Sequence, residues 1–90
     1  MYKIYYCRQG VGDVLLISYD EETIPNKIKK NDNVISLYKD DKLVGINIFD
    51  FSKIVKIFHS GEIVDPTDEF ITLINHILIN AGVNKLKENE

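Results

Sequence analysis

The sequence holds one cysteine, no tryptophan and two prolines in 90 residues. A single thiol, Cys7, excludes an intrachain disulfide framework and a zinc centre built from several thiolates. It suits a reducing compartment. No apolar run approaches the ~18 residues of a membrane-spanning helix. The opening Met1-Tyr2-Lys3-Ile4-Tyr5-Tyr6 has neither the apolar stretch nor the small-residue cleavage site of a secretory leader. These absences predict a cytoplasmic domain without a membrane segment. Positive charge is also scarce, with eleven Lys and Arg against fourteen Asp and Glu, a net charge of −3. A dedicated nucleic-acid module is usually basic on one face. Only residues 23–57, with seven lysines against four aspartates, lean that way.

What is present suffices for one core. The chain is 44% hydrophobic and 28% charged, which separates it from disordered sequences. Its length is that of one domain. Residues 2–7 read as a strand, with Tyr2, Ile4 and Tyr6 on one face. Arg8 to Asp13 reads as a turn containing two glycines. Val14-Leu15-Leu16-Ile17 is apolar on both parities, as a strand covered on both faces would be. Residues 20–33 read as a polar connection closed by the turn signal Asn31-Asp32-Asn33. Val34 to Ile48 reads as a hairpin around Lys39-Asp40-Asp41-Lys42. Its expected apolar faces are Ile35 and Leu37 on one arm and Val44, Ile46 and Ile48 on the other. Ser36, Tyr38, Leu43, Gly45 and Asn47 make the opposite, more polar face. Phe49 to Phe58 fits either helical or strand spacing, and a brief helical turn leading into a strand is the favoured reading.

The last element is a helix over about 66–81. Asp65 is its expected N-cap and Pro66 its first residue. Phe70, Leu73, Ile74, Ile77, Leu78 and Ala81 make the apolar stripe, and Gly82 with Val83 suits a Schellman end. The expected fold class is α+β. It is a two-layer sandwich in which a mainly antiparallel sheet of four or more strands carries the C-terminal helix on one face. Residues 1–83 form the single domain, and 84–90 a polar tail.

Candidate chemistry is sparse. Gly10-x-Gly12 lacks the third glycine of a dinucleotide loop and the Gly-Lys-Ser/Thr of a Walker loop, and Asp13 would repel phosphate. It reads as a structural turn. Cys7 with His59 or His76 carries no nucleophile signature, and Cys7 reads as a small buried apolar group. Asp40-Asp41 and Asp20-Glu21-Glu22 lack the alternating oxygen ligands of a calcium loop. No cofactor or metal is expected, and no enzymatic activity. The candidate partner or RNA contacts are Lys27, Lys29 and Lys30, which could form a basic patch with Lys53 and Lys56, and Asn47. A solvated face is the alternative for the lysines, since no aromatic or arginine is interleaved with them. Asn47, a polar residue in an apolar strand, either bonds the backbone at a bend or is exposed for a partner, and the first role is favoured.

Tyr6-x-x-x-Gly10-Val11-Gly12-Asp13-Val14-Leu15-Leu16-Ile17, followed by Gly45-Ile46-Asn47-Ile48-Phe49, resembles the N-terminal module of the YtpR-like family of bacterial tRNA-binding-domain proteins. The similarity extends over nearly the whole chain, through Ala81-Gly82-Val83. In that family a barrel follows, like the tRNA-binding domain of the phenylalanyl-tRNA synthetase β chain. The resemblance implies a non-catalytic accessory module, with tRNA held by a C-terminal barrel that these 90 residues do not include. It assigns no catalytic residue, and Cys7 stands where family members often have Asn. The alternative is a self-standing protein-interaction or homodimerisation domain, with strand 2–7 as an edge.

Overall fold

Strand-forming residues alternate with short polar ones along much of the chain, and each such run becomes a strand. The computed structural model describes residues 2–9, 12–53, 61–63 and 65–86. The strands are β1 (Lys3–Gln9), β2 (Gly12–Ser18), β3 (Lys27–Asn31), β4 (Val34–Lys39), β5 (Lys42–Phe49) and β6 (Gly61–Ile63). They form one sheet in the order β3-β4-β5-β2-β1-β6, and every pairing is antiparallel. A 3-10 turn at Phe51–Lys53 follows β5, and helix α1 spans Asp68–Asn80. The expected α+β architecture is the one that forms.

Alternation decides which side chains face the helix. Ile4 and Tyr6 of β1, Leu15 and Ile17 of β2, Ile46 and Ile48 of β5 and Val34 of β4 are all buried. They share one face because Ile4 pairs with Ile17, Tyr6 with Leu15, Leu15 with Ile48, and Val34 with Ile48. Phe70, Ile74 and Leu78 recur every four residues along α1 and close this core. Each fully buried side chain of this kind contributes about 1.5–3 kcal/mol.

The helix begins later than its sequence suggests. Thr67, not Asp65, is the N-cap, and its hydroxyl accepts from the Phe70 N–H at 3.2 Å. Pro66 therefore precedes the cap. Asp68 and Glu69 still occupy the first turn, where the helix dipole favours negative charge. The C-terminus matches expectation. Gly82 takes φ +75°, the Val83 N–H donates to Leu78 O at 2.8 Å, and the Gly82 N–H donates to Ile79 O at 3.0 Å. Those two bonds define a Schellman end.

Several readings need correction. Lys27–Asn31 is a strand and not a loop; all five residues are exposed at the sheet edge, so no burial pattern marks them. β6 pairs outside β1 at Ile4, Tyr5 and Tyr6, so β1 is an interior strand there and not the sheet edge expected of residues 2–7. In the hairpin, Ile35 and Leu37 do not share the buried face of Val44, Ile46 and Ile48. Ile35 pairs with Asn47 and Leu37 with Gly45, while Ser36 lies opposite Ile46 and is buried. The register shifts between Leu37 and Tyr38, and beside this irregularity Leu43 packs against the core while Val44 is also buried. The helical turn after Phe49 forms at Phe51–Lys53, whereas the strand expected over 54–58 lies outside the described residues.

The β4–β5 turn contains Asp40 at φ 50° and Asp41 at φ 65°. Two positive φ values in a two-residue loop are the type I′ arrangement, which glycine meets without the steric cost borne by aspartate. Asp41 also pairs with Lys27 at 3.7 Å, but both side chains are exposed, so the pair adds little. Asp41→Gly should therefore stabilise the domain by about 0.5–1 kcal/mol. A thermal melt that shows lower stability would contradict this account of the turn.

Candidate functional site

The two runs that carry the family resemblance are distant in sequence and adjacent in the sheet. Val14 pairs with Phe49, Leu15 with Ile48 and Leu16 with Asn47. At the end of this ladder lies Asp13, whose parity on β2 places it on the helix side with Leu15 and Ile17. The Tyr6 hydroxyl donates to its Oδ1 at 2.6 Å. The Ser52 N–H donates to Oδ1 and Oδ2 at 3.2 and 3.1 Å, and the Ser52 hydroxyl also donates to Oδ2. The Asp50 N–H donates to the Asp13 carbonyl at 2.8 Å. Asp13 thus ties β1 and β2 to the 3-10 turn. Its carboxylate is engaged by protein donors and is not presented to a ligand. Sequence alone identified Asp13 but missed Tyr6 and Ser52 as its partners; the shared parity of Tyr6 and Asp13 was the available signal.

The candidate contact residues divide between two faces. Lys27 and Lys29 have the parity of Asn31 on β3 and lie on the helix side of the edge, opposite Tyr38 and Ser36. Lys29 Nζ sits 5.3 Å from the centroid of the Tyr38 ring, and Lys27 pairs with Asp41. Lys30 has the opposite parity. It heads a cross-strand row of Lys30, Ile35, Asn47, Leu16 and Tyr5 on the outer face. Asn47 is half-buried there, and no described residue hydrogen-bonds its amide, so the favoured backbone-bonding role is not what forms. Lys30 and Asn47 therefore share a surface that Lys27 and Lys29 do not. Lys53 pairs with Asp50 at 3.9 Å in the 3-10 turn, and Lys56 lies outside the described residues.

Cys7 is exposed, against the expectation of burial, because its parity on β1 points it away from the core. His76 is exposed on α1, in the layer beyond the other face of the sheet. The two do not form a nucleophile pair. His59 lies outside the described residues. Among the described residues no cluster of three or more His, Cys, Asp or Glu could hold a metal ion.

A hollow of about 490 Å³ lies between the β4–β5 turn and the helix end, lined in part by Tyr19, Tyr38, Lys42 and Lys85. Tyr19 packs edge-on against Tyr2, with ring centroids 6.1 Å apart. Burial, and then the neighbouring Tyr2, push the Tyr19 phenol up to about 12. Burial also raises Tyr2. A phenol whose folded-state pKa is raised keeps its proton where the unfolded chain, near 10, has lost it. Tyr19 should therefore weaken the fold as pH rises from 10 to about 12. Ultraviolet titration of the five tyrosines should show a late-ionising component that Tyr19→Phe reduces by one tyrosine.

The fold defines a small α+β domain whose recognisable motif is a packing signature. Residues 20–89 match the family described as Domain of unknown function (DUF4479), and the chain belongs to that family. It is also 30% identical over 84 residues to the Bacillus subtilis (strain 168) protein named "Putative tRNA-binding protein YtpR". That match covers 90% of this chain and 41% of the relative. No solved structure matches. Among the described residues, no helix is long and apolar enough to cross a membrane.

Proposed function

We propose that this chain is a non-catalytic accessory domain of a cytoplasmic tRNA-binding protein, and that RNA contact is supplied by a barrel domain beyond these 90 residues. The observation that carries the reading is the 30% identity with a relative named for tRNA binding, of which this chain spans only 41%. The charge distribution agrees with it. The net charge is −3, and Lys27, Lys29 and Lys53 each have a partner within the domain. Tight binding to a polyanion needs several unpaired cations gathered on one face. Lys30 and Asn47 are the positions from which the domain would touch a partner. The non-catalytic role is supported by the separation of Cys7 from His76 and by the engagement of the Asp13 carboxylate.

The test compares tRNA binding by this chain with binding by a longer protein in which the barrel follows it. The longer protein should bind in a salt-sensitive manner and the 90-residue chain weakly. Equally tight, salt-sensitive binding by the 90 residues alone would refute the assignment of RNA contact to the barrel.

A further inference from the structure

An antiparallel sheet with a helix layer on one side ordinarily turns a polar face to solvent on the other. This sheet turns a mixed face outward, in which apolar side chains stand among Lys3, Ser18, Lys30, Lys39 and Asn47. The residues pointing away from α1 include Ile28 on β3, Ile35 and Leu37 on β4, Phe49 on β5, and Val14 and Leu16 on β2. None of them belongs to the core cluster or packs against it. Ile28 is 65% exposed and Phe49 37%. Gly45, between Leu37 and Ser18, has Leu37 Cδ1 within 3.5 Å of where its Cβ would be, so Leu37 lies over the glycine and continues the apolar surface. Among the described residues nothing covers this face, and the chain after α1 stays on the helix side, where Leu86 is buried in the core and its N–H donates to Asn75 at 2.9 Å.

We propose that this outer face is a self-association surface that joins two copies of the chain face to face, about a two-fold axis lying in the interface and parallel to the strands. The face spans five strands and three cross-strand rows, roughly 20 Å by 20 Å from strand spacing and rise. Corrugation by side chains brings that to roughly 600 Å² of accessible surface per copy, near the lower limit for a specific dimer. Its apolar part, formed by Ile28, Ile35, Leu37, Phe49, Val14 and Leu16, is of the kind that marks interaction sites, and sheets packed in this way lie with strands nearly aligned.

Charge selects the axis. The β3–β4 flank of the outer face carries Lys30 and Lys39. The β1 flank carries Glu21, which accepts from the Tyr5 hydroxyl at 2.8 Å and pairs with Lys3 at 3.6 Å. An axis across the strands would set lysine flank on lysine flank. An axis along them, through β5, lays each lysine flank over the partner's β1 flank. It brings Lys30 of one copy towards the Tyr5–Glu21 pair of the other, because both lie in one cross-strand row. Asn47, in the middle of that row, is the polar group that penalises other registers, since a buried amide must find a partner. A single-stranded RNA is less well matched. The platform is mostly aliphatic, its Tyr5 hydroxyl is engaged by Glu21, and the Glu21 carboxylate repels phosphate.

Sedimentation equilibrium of the 90-residue chain from about 1 to about 200 µM covers the range for an interface of this size. The expected result is a dimer with a micromolar dissociation constant that rises with salt. Leu16→Lys and Ile35→Lys, at half-exposed outward positions, should keep the circular dichroism spectrum and weaken the dimer at least about tenfold. Lys30→Glu should weaken it as well. Cys7 lies on the same face and is exposed, so its rate of alkylation in the unmodified chain should fall as protein concentration rises; this arm needs no variant to fold. A monomer across the whole range overturns the proposal, as does a dimer that both lysine variants leave intact. A monomer that binds single-stranded RNA, and loses it in Leu16→Lys, overturns it in favour of an RNA platform.

Discussion

Phe51→Ala is expected to cost about 3–5 kcal/mol, the range for emptying a buried aromatic site. Phe51 is wholly buried, although it sits in a three-residue turn and not in a strand or the helix. Its ring centroid is 5.9 Å from that of Tyr6 on β1 and 6.0 Å from that of Phe70 on α1. It therefore fills the space between the sheet and the first turn of the helix. Alanine would remove contacts with both layers at once, and the 3-10 backbone, pinned by Asp13, has little freedom to collapse into the gap. A domain of this size has about 5–15 kcal/mol to lose, and each kcal/mol moves the melting midpoint by about 4–8 °C. The midpoint should fall by about 12–40 °C, read by circular dichroism, while Phe51→Leu should lose less than half as much. A loss below about 1 kcal/mol would show that the turn is peripheral to the core.

This turn also marks the limit of what the sequence made legible. Phe51 stood out as one member of an ambiguous apolar segment, because a 3-10 turn is too short to establish a period. The helix was clear over its apolar stripe and its Gly82 end, since thirteen residues supply several turns of pattern. Its start was misread because Asp65-Pro66 mimics a cap, whereas Thr67 provides the oxygen that the Phe70 N–H uses. Strand β3 was hidden for a different reason. Lysines at both parities of an exposed edge give no alternation, and edge strands use such charge to resist further pairing. The hairpin was found, but its faces were exchanged on one arm. Ser36 looked solvent-facing by polarity and is 3% exposed, while Ile35 and Leu37 looked buried and face outward. Polarity assigns a face only when one side of a sheet is wet. When both sides are apolar, register alone decides.

That exchange bears on the candidate site. Asn47 was expected on the polar face opposite Ile46 and Ile48, and it lies there, but its cross-strand neighbour on β4 is Ile35 and not Ser36. The contrast between Lys30 and its neighbours Lys27 and Lys29 arises in the same way. Three lysines within four positions form a cluster in sequence, but strand parity sends one of them to the opposite face. The division of the lysines is not accessible until β3 is recognised as a strand and its register with β4 is known.

Asp13→Ala should cost about 2–4 kcal/mol, the second large effect, and it separates a structural motif from a ligand site. The substitution leaves the Tyr6 hydroxyl and the Ser52 N–H without the acceptor they use, and each part-buried donor so exposed costs about 1–3 kcal/mol, with solvent offsetting some of it. Hydrogen bonds to a charged acceptor are the stronger kind. Asp13→Asn keeps the shape but turns an NH₂ towards a donor, so it should rescue less than half of the loss. Tyr6→Phe and Ser52→Ala should each cost about 1 kcal/mol alone and much less in the Asp13→Ala background, because all three act through one carboxylate. Urea denaturation of the single and double variants measures this coupling directly. If Asp13 were instead a contact for RNA, its variants would melt as the parent does and lose only binding in the longer, barrel-bearing protein. Strong coupling between Asp13 and Ser52, 39 residues apart in sequence, would mean that Asp13 serves to lock the 3-10 turn that follows β5.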